Sequence, residues 1–169
     1  MFSISLYRSF ILAAAALLTV SGANAEEIGE VSTSFKLLGA NHKIVVEAFD
    51  DPKIQGVSCF LSRAKTGGIT GSLGLAEDTA DASIACRQTG PIQYLEPLEA
   101  GERVFRRSTS LLFKELQVVR FFDPVRNSIV YLTYSDRLID GSPKNSISAV
   151  TVAPWGAEGL LPEPPQYDE

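Results

Sequence analysis

The sequence predicts a mainly β protein, a single antiparallel sandwich or barrel with at most one or two short helices. Three observations predict it. Runs that alternate apolar and polar residues, or are rich in Val, Ile and aromatics, recur about every ten residues. Turn chemistry separates them, as in Gly39-Ala40-Asn41-His42, Asp50-Asp51-Pro52 and Asp123-Pro124-Val125-Arg126-Asn127. Helical periodicity is confined to residues 76–85 and, more weakly, 108–117.

Ahead of the domain, Met1–Ala25 carries a lone Arg8, a largely apolar run from Phe10 to Val20, and Ser21-Gly22-Ala23-Asn24-Ala25. A charged start, an apolar centre and an A-x-A site form a cleaved secretory signal. A membrane-spanning helix needs about 20 apolar residues, and Gly22 and Asn24 interrupt this run too early. Cleavage is expected after Ala25, leaving Glu26–Glu169 as a periplasmic protein with no membrane span.

Val31–Leu37 alternates cleanly, which predicts a half-buried strand. After the Gly39–His42 turn, Lys43–Phe49 returns as its hairpin partner. Pro52 stops it, because proline cannot donate to the ladder. Val57–Arg63 is a third strand. Thr66–Gly74 holds four of the chain's 13 glycines and reads as a loop or bulged strand. Glu77–Ala85 fits a short helix capped by Asp78 or Thr79, and Ser83–Gln88 fits a strand equally well. Arg103–Arg107 is a further short strand. Leu116–Phe122 reads as a buried strand, since valines and aromatics favour the pleat. Ser128–Tyr134 pairs back on it, and Ile147–Val152 closes the domain. Beyond it, the segment 154–169 contains Pro154, Pro162, Pro164 and Pro165, four acids and no base, the composition of a disordered tail.

A length of 169 residues suits one domain. The formal charge of −5 argues against nucleic-acid binding, which needs a basic surface. Removing the signal takes away one base, so the mature chain is more acidic still. Its acids sit at the ends, however: residues 31–153 hold 13 acids and 14 bases. An anionic partner therefore remains compatible with the domain itself.

Two cysteines are too few for a four-thiolate zinc site. In an exported chain, Cys59 and Cys86 are expected to form a disulfide. A catalytic dithiol would sit as Cys-x-x-Cys, and these are far apart. The bond would tether both ends of the glycine loop.

Candidate catalytic groups are sparse. His42 is the one histidine available to a serine nucleophile, and it lies in a turn. Ser62-Arg63-Ala64-Lys65-Thr66-Gly67 contains Ser-x-x-Lys and Lys-Thr-Gly, but both use the same lysine, whereas the serine enzymes that carry them use two. Gly68-Ile69-Thr70-Gly71-Ser72-Leu73-Gly74 lacks the Gly-Lys-Ser/Thr of a phosphate loop. Glu77, Asp78 and Asp81 offer too few oxygens to specify a cation site, and fit a helix cap instead. Glu47 with Asp50 or Asp51 could pair as glycosidase carboxylates, although acids at a strand end are ordinarily turn formers. Arg103, Arg106, Arg107, Lys114 and Arg120 place positive charge on neighbouring segments, which could meet an acidic envelope polymer.

The stretches HKIVVEAFDDPKIQGVSCFLSRAKTGGITGSLGLAEDTADASIACRQTGPI (residues 42–92) and LQVVRFFDPVRNSIVYLTYSDRLIDGSPKNSISAV (residues 116–150) resemble the CreA family of exported bacterial proteins. The likeness covers nearly all of residues 26–154, and the Pro-rich tail looks like an addition to the family pattern. The resemblance implies a small periplasmic protein. It supplies no catalytic or ligand residue to transfer onto this chain.

Together these readings predict a non-enzymatic envelope-binding module, with a small hydrolase using His42 or carboxylates as the alternative. No cofactor and no metal are expected. The partner would be an envelope protein or polymer. If the domain binds, the expected site is the glycine loop with its basic flank: Arg63, Lys65, Gly67, Gly68, Gly71 and Gly74. The hydrolase would instead require a cleft that gathers His42, Glu47, Asp50 and Asp78.

Overall fold

A computed structural model describes residues 25–33, 42–65, 82–108, 115–136, 144–157 and 159–167. Eight strands are present: β1 (Glu26–Ser32), β2 (Lys43–Asp50), β3 (Ile54–Lys65), β4 (Ala82–Tyr94), β5 (Glu102–Ser108), β6 (Glu115–Asp123), β7 (Ser128–Asp136) and β8 (Asn145–Thr151). They form two four-stranded antiparallel sheets, β1-β2-β3-β4 and β5-β6-β7-β8, each a meander in chain order. The expected fold class takes its sandwich form. No helix occurs among the described residues, and residues 1–24, all but the last of the expected signal, lie outside them.

Each sheet turns one apolar face inward, as period-two alternation requires. On β2, Val45, Glu47 and Phe49 are buried while Ile44 is exposed. Phe49 stacks on Phe105 of the opposite sheet, ring centroids 4.5 Å apart. Ile54, Leu61, Ile84, Val118, Ile129 and Tyr131 extend this core between the layers. The sheets also meet where β4 passes β8: the Cys86 backbone N–H donates to Ser148 Oγ at 2.8 Å. The Gln88 amide likewise donates to the Ala153 carbonyl at 2.9 Å.

Two elements differ from the sequence expectation. β1 starts at Glu26, ahead of the expected Val31, and all seven of its residues are exposed. It is an outer strand held by its ladder to β2, so backbone pairing and not side-chain burial sets its limits. Residues 34–41 lie outside the described ones. At 82–85 the strand reading wins over the helix, because β4 pairs with β3 from Arg63↔Ala82 to Ile54↔Tyr94. Such non-local pairing overrides a weak local preference.

After β8 the chain turns through Trp155–Gly156 and runs back across the molecule. The Leu98 N–H donates to the Gln166 carbonyl at 2.7 Å, and Leu98 forms a parallel bridge with Tyr167. The Tyr167 ring lies 6.4 Å from that of Phe122, and Pro165 is buried. Within the segment whose composition reads as disordered, residues 165–167 contact the domain.

Candidate functional site

The expected site lies at the far end of the β3–β4 hairpin. Cys59 and Cys86 are direct register partners on these strands, with Cα atoms 4.0 Å apart, and are joined by a disulfide. Both are buried, and the bond clasps the hairpin below the segment that joins β3 to β4. Gly67, Gly68, Gly71 and Gly74 lie in that segment and outside the described residues, as do Glu77, Asp78 and Asp81.

At its root, Lys65 of β3 stands directly opposite Lys43 of β2. Lys43 is ion-paired to Glu30 of β1. The hydrogen bond and charge of Lys43, with the charge of Lys65, hold the Glu30 carboxyl below the usual carboxylate value. Lys65 is exposed.

Arg63, expected in the basic flank of the loop, is ion-paired within the sheet. Its Nε donates to Glu47 Oε2 at 2.9 Å and its Nη2 to Glu47 Oε1 at 3.1 Å, a two-point grip. Glu47 pairs in register with Leu61, so Arg63 is its diagonal neighbour on the same sheet face. Arg107 of β5 reaches across from the other sheet to the same carboxylate. Burial pushes the Glu47 carboxyl up, and the hydrogen bonds and charges of Arg63 and Arg107 outweigh it, leaving the group below 4.5. Glu47 is therefore an ionised anchor, the opposite of a general acid.

A second buried network carries charge at the other end of β2. Asp51 Oδ1 accepts the backbone N–H groups of Lys53 at 2.9 Å and Ile54 at 3.0 Å, closing the turn into β3. Tyr131 donates its hydroxyl to Asp51 Oδ2 at 2.7 Å. Arg120, 1% exposed, forms ion pairs with both Asp51 and Glu102. Glu102 also pairs with Lys53 at 2.8 Å. This cluster was not anticipated from the sequence. The signal was a single charge inside the apolar run Val118-Val119-Arg120-Phe121-Phe122, because a charge buried in a strand needs a buried partner.

The remaining candidates do not converge. His42 precedes β2, and its carbonyl accepts the Thr33 N–H at 2.9 Å. Asp50 ends the same strand and accepts the Ser58 hydroxyl at 2.6 Å. Eight extended residues separate these two groups by roughly 26 Å, so one cleft does not hold both. Glu47 and Asp51 belong to separate networks and form no catalytic pair. Arg107 and Arg120 are consumed internally, and Arg106 pairs with Glu115 at 2.6 Å. Of the expected basic surface, Arg103 and Arg106 remain exposed, and Lys114 lies outside the described residues. Among the described residues, no three metal-capable side chains cluster.

Comparison with known proteins bears on the whole domain. The family model described as CreA protein matches residues 28–155. Protein CreA of Escherichia coli K12 is 56% identical over 153 residues, covering 88% of this chain and 98% of that relative. The Protein CreA chains of Escherichia coli O6:H1 and O157:H7 match to the same extent. No solved structure matches this chain. The family match spans all eight strands apart from the first two residues of β1, and together with the relatives it shows that the chain belongs to the CreA family.

Proposed function

We propose that this protein is exported to the periplasm and acts there as a non-enzymatic binding module of the cell envelope. Its binding surface is the 66–74 loop with the lysines at its root, and its partner an anionic envelope protein or polymer. The observation that carries this reading is the clasped hairpin itself. A disulfide fixes β3 to β4 beneath a glycine-rich connection, while Lys43 and Lys65 stand side by side where that connection leaves the sheet. Glycines let backbone N–H groups approach a ligand, and fixed cations nearby favour an anion. The buried carboxylate best placed for acid–base chemistry, Glu47, is instead locked by two arginines.

Cell fractionation and in-cell photocrosslinking test the reading. The protein is expected in the periplasm with Glu26 at its N-terminus. A crosslinker at position 65 is expected to capture an envelope component, and Gly68→Ala with Gly71→Ala to abolish capture while leaving the thermal midpoint unchanged. A cytoplasmic protein that retains Met1, or undiminished capture by the double variant, overturns it.

A further inference from the structure

The two sheets do not end flush. Phe49 of β2 stacks on Phe105 of β5, and Glu47 of β2 binds Arg107 of β5, so β5 lies across the sandwich from β2. β1, the next strand of the first sheet, therefore overhangs the second sheet by one strand, about 4.8 Å. Its exposure agrees. Glu27 and Glu30 share a sheet face with their register partners Glu47 and Val45, which are buried, yet both are exposed. β5, recessed beneath the overhang, is the outermost strand of its own sheet. Among the described residues, each sheet thus presents an unpaired strand edge on this flank. The other flank is closed where β4 meets β8 through the Cys86–Ser148 hydrogen bond.

We propose that this open flank joins two copies of the chain about a two-fold axis parallel to the strands, with β1 of each copy seated beside β5 of the other. Such an axis turns one copy over and brings its recessed second sheet level with the overhanging first sheet of its mate. Each overhang then fills the other copy's step, and both sheets run on across the junction.

Level and charge agree with that axis. Phe49 and Glu47 of β2 meet Phe105 and Arg107 of β5, so these strands run in opposite directions. β1 is antiparallel to β2 and hence runs with β5. An axis along the strands keeps every residue at its own level. Glu27 pairs with Glu47 and is level with Arg107, while Glu26 pairs with Ala48 and is level with Arg106. Glu26 and Arg106 both lie on the outer faces of their sheets, so the axis sets Glu26 of one copy beside Arg106 of the other. Glu26, Glu27 and Arg103 are exposed and make no ion pair among the described residues. Arg106 is exposed too, and its one ion pair there is with Glu115. The axis perpendicular to the sheets would instead set β1 against β1, Glu26 and Glu27 facing their own copies, and hold the β5 edges apart. Like charges opposed across a strand pair are destabilising. Bulges interrupt both edges, between Glu27 and Gly29 and between Arg103 and Phe105, so the join is short and its charges choose the geometry.

Sedimentation velocity on the mature chain, loaded over a hundredfold range of concentration, tests the proposal. A reversible monomer–dimer equilibrium is expected with no larger species, because one closed contact uses both edges of each copy. Arg103→Glu with Arg106→Glu, and separately Glu26→Lys with Glu27→Lys, should each weaken the dimer at least tenfold. Neither pair should move the thermal midpoint, since all four side chains are exposed. Mixed in equal amounts, the two double variants should dimerise again, because both junctions of the mixed pair then set acids against bases. A chain that stays monomeric at every concentration overturns the proposal. So does a double variant that dimerises as well as the parent, a mixture that remains monomeric, or growth beyond the dimer.

Discussion

Arg120 is the residue on which the interior turns. It sits on β6 between Val119 and Phe121, 1% exposed, and grips Asp51 and Glu102 at once. Its planar guanidinium offers separate nitrogens to two carboxylates, a geometry lysine cannot copy. Asp51 needs it: that carboxylate is itself buried and already organises the β2–β3 turn through two backbone N–H groups. Removing one member of a buried pair leaves the other uncompensated, at a cost of about 3–5 kcal/mol. Arg120→Met is therefore expected to lower unfolding free energy by that amount in urea melts, and Arg120→Lys to recover only part of it. A loss below about 1 kcal/mol would show that water enters and screens Asp51. Asp51→Asn should be milder than Arg120→Met, because an amide oxygen still accepts the Lys53 and Ile54 N–H groups while Glu102 still pairs with the arginine.

At the scale of elements, the β3–β4 ribbon is fixed at two places. Opposite Gly56 the register slips between Gln55 and Val57, forming a bulge. Gly56 adopts φ +84° there, and a Cβ would lie 2.4 Å from the Pro91 carbonyl oxygen and 2.9 Å from that of Gly90. Both obstacles are backbone and cannot rotate away. Gly56→Ala is expected to cost about 1–3 kcal/mol from strain alone, more with the clash, read as a lowered thermal midpoint. Farther along, the disulfide closes a sequence separation of 27 residues. On the chain-entropy estimate it stabilises by about 3–4 kcal/mol, so Cys59→Ala with Cys86→Ala should lose most of that in the same melt.

The strands were legible wherever one face is buried against the other sheet, as in Lys43–Phe49, Leu116–Phe122 and Ser128–Tyr134, because alternation and β-branched runs record that burial. β1 was misplaced because no opposing layer covers it, and the helix offered for 77–85 competed because β4's pairing is non-local. The disulfide was legible from the count of two cysteines and the export expected of the chain. The ion pairs were not. Glu47 reads locally as the solvent-facing residue of an apolar strand, and nothing within ten positions of Arg107 announces that it crosses the sandwich to meet it. The contacts of Pro165 and Tyr167 with the domain were not legible either, since these residues are a minority within a polar, proline-rich composition.

For the molecule as a whole, the sheets are joined by ionic as well as apolar contacts. Glu47 and Asp51 belong to the first layer, their partners Arg107 and Arg120 to the second. The layers therefore should not unfold separately: far-UV circular dichroism and Trp155 fluorescence are expected to give superimposable urea transitions, and displaced curves would contradict that coupling. The same anchors set the acid limit. Glu47 is held below its ordinary 4.5 in the folded state, so its contribution is complete above that value and fades as the pH falls through the lowered one. At pH 7, Glu47→Gln leaves Arg63 and Arg107 facing an amide, at a cost of about 1.5–3 kcal/mol for the charged hydrogen bonds lost. The variant should accordingly be less stable than the parent near neutrality and converge on it as the parent's carboxylate takes up its proton. Urea midpoints measured from pH 7 down to pH 3 read this directly. A gap that stays constant over the whole range would mean that the arginines hold Glu47 by shape and not by its charge.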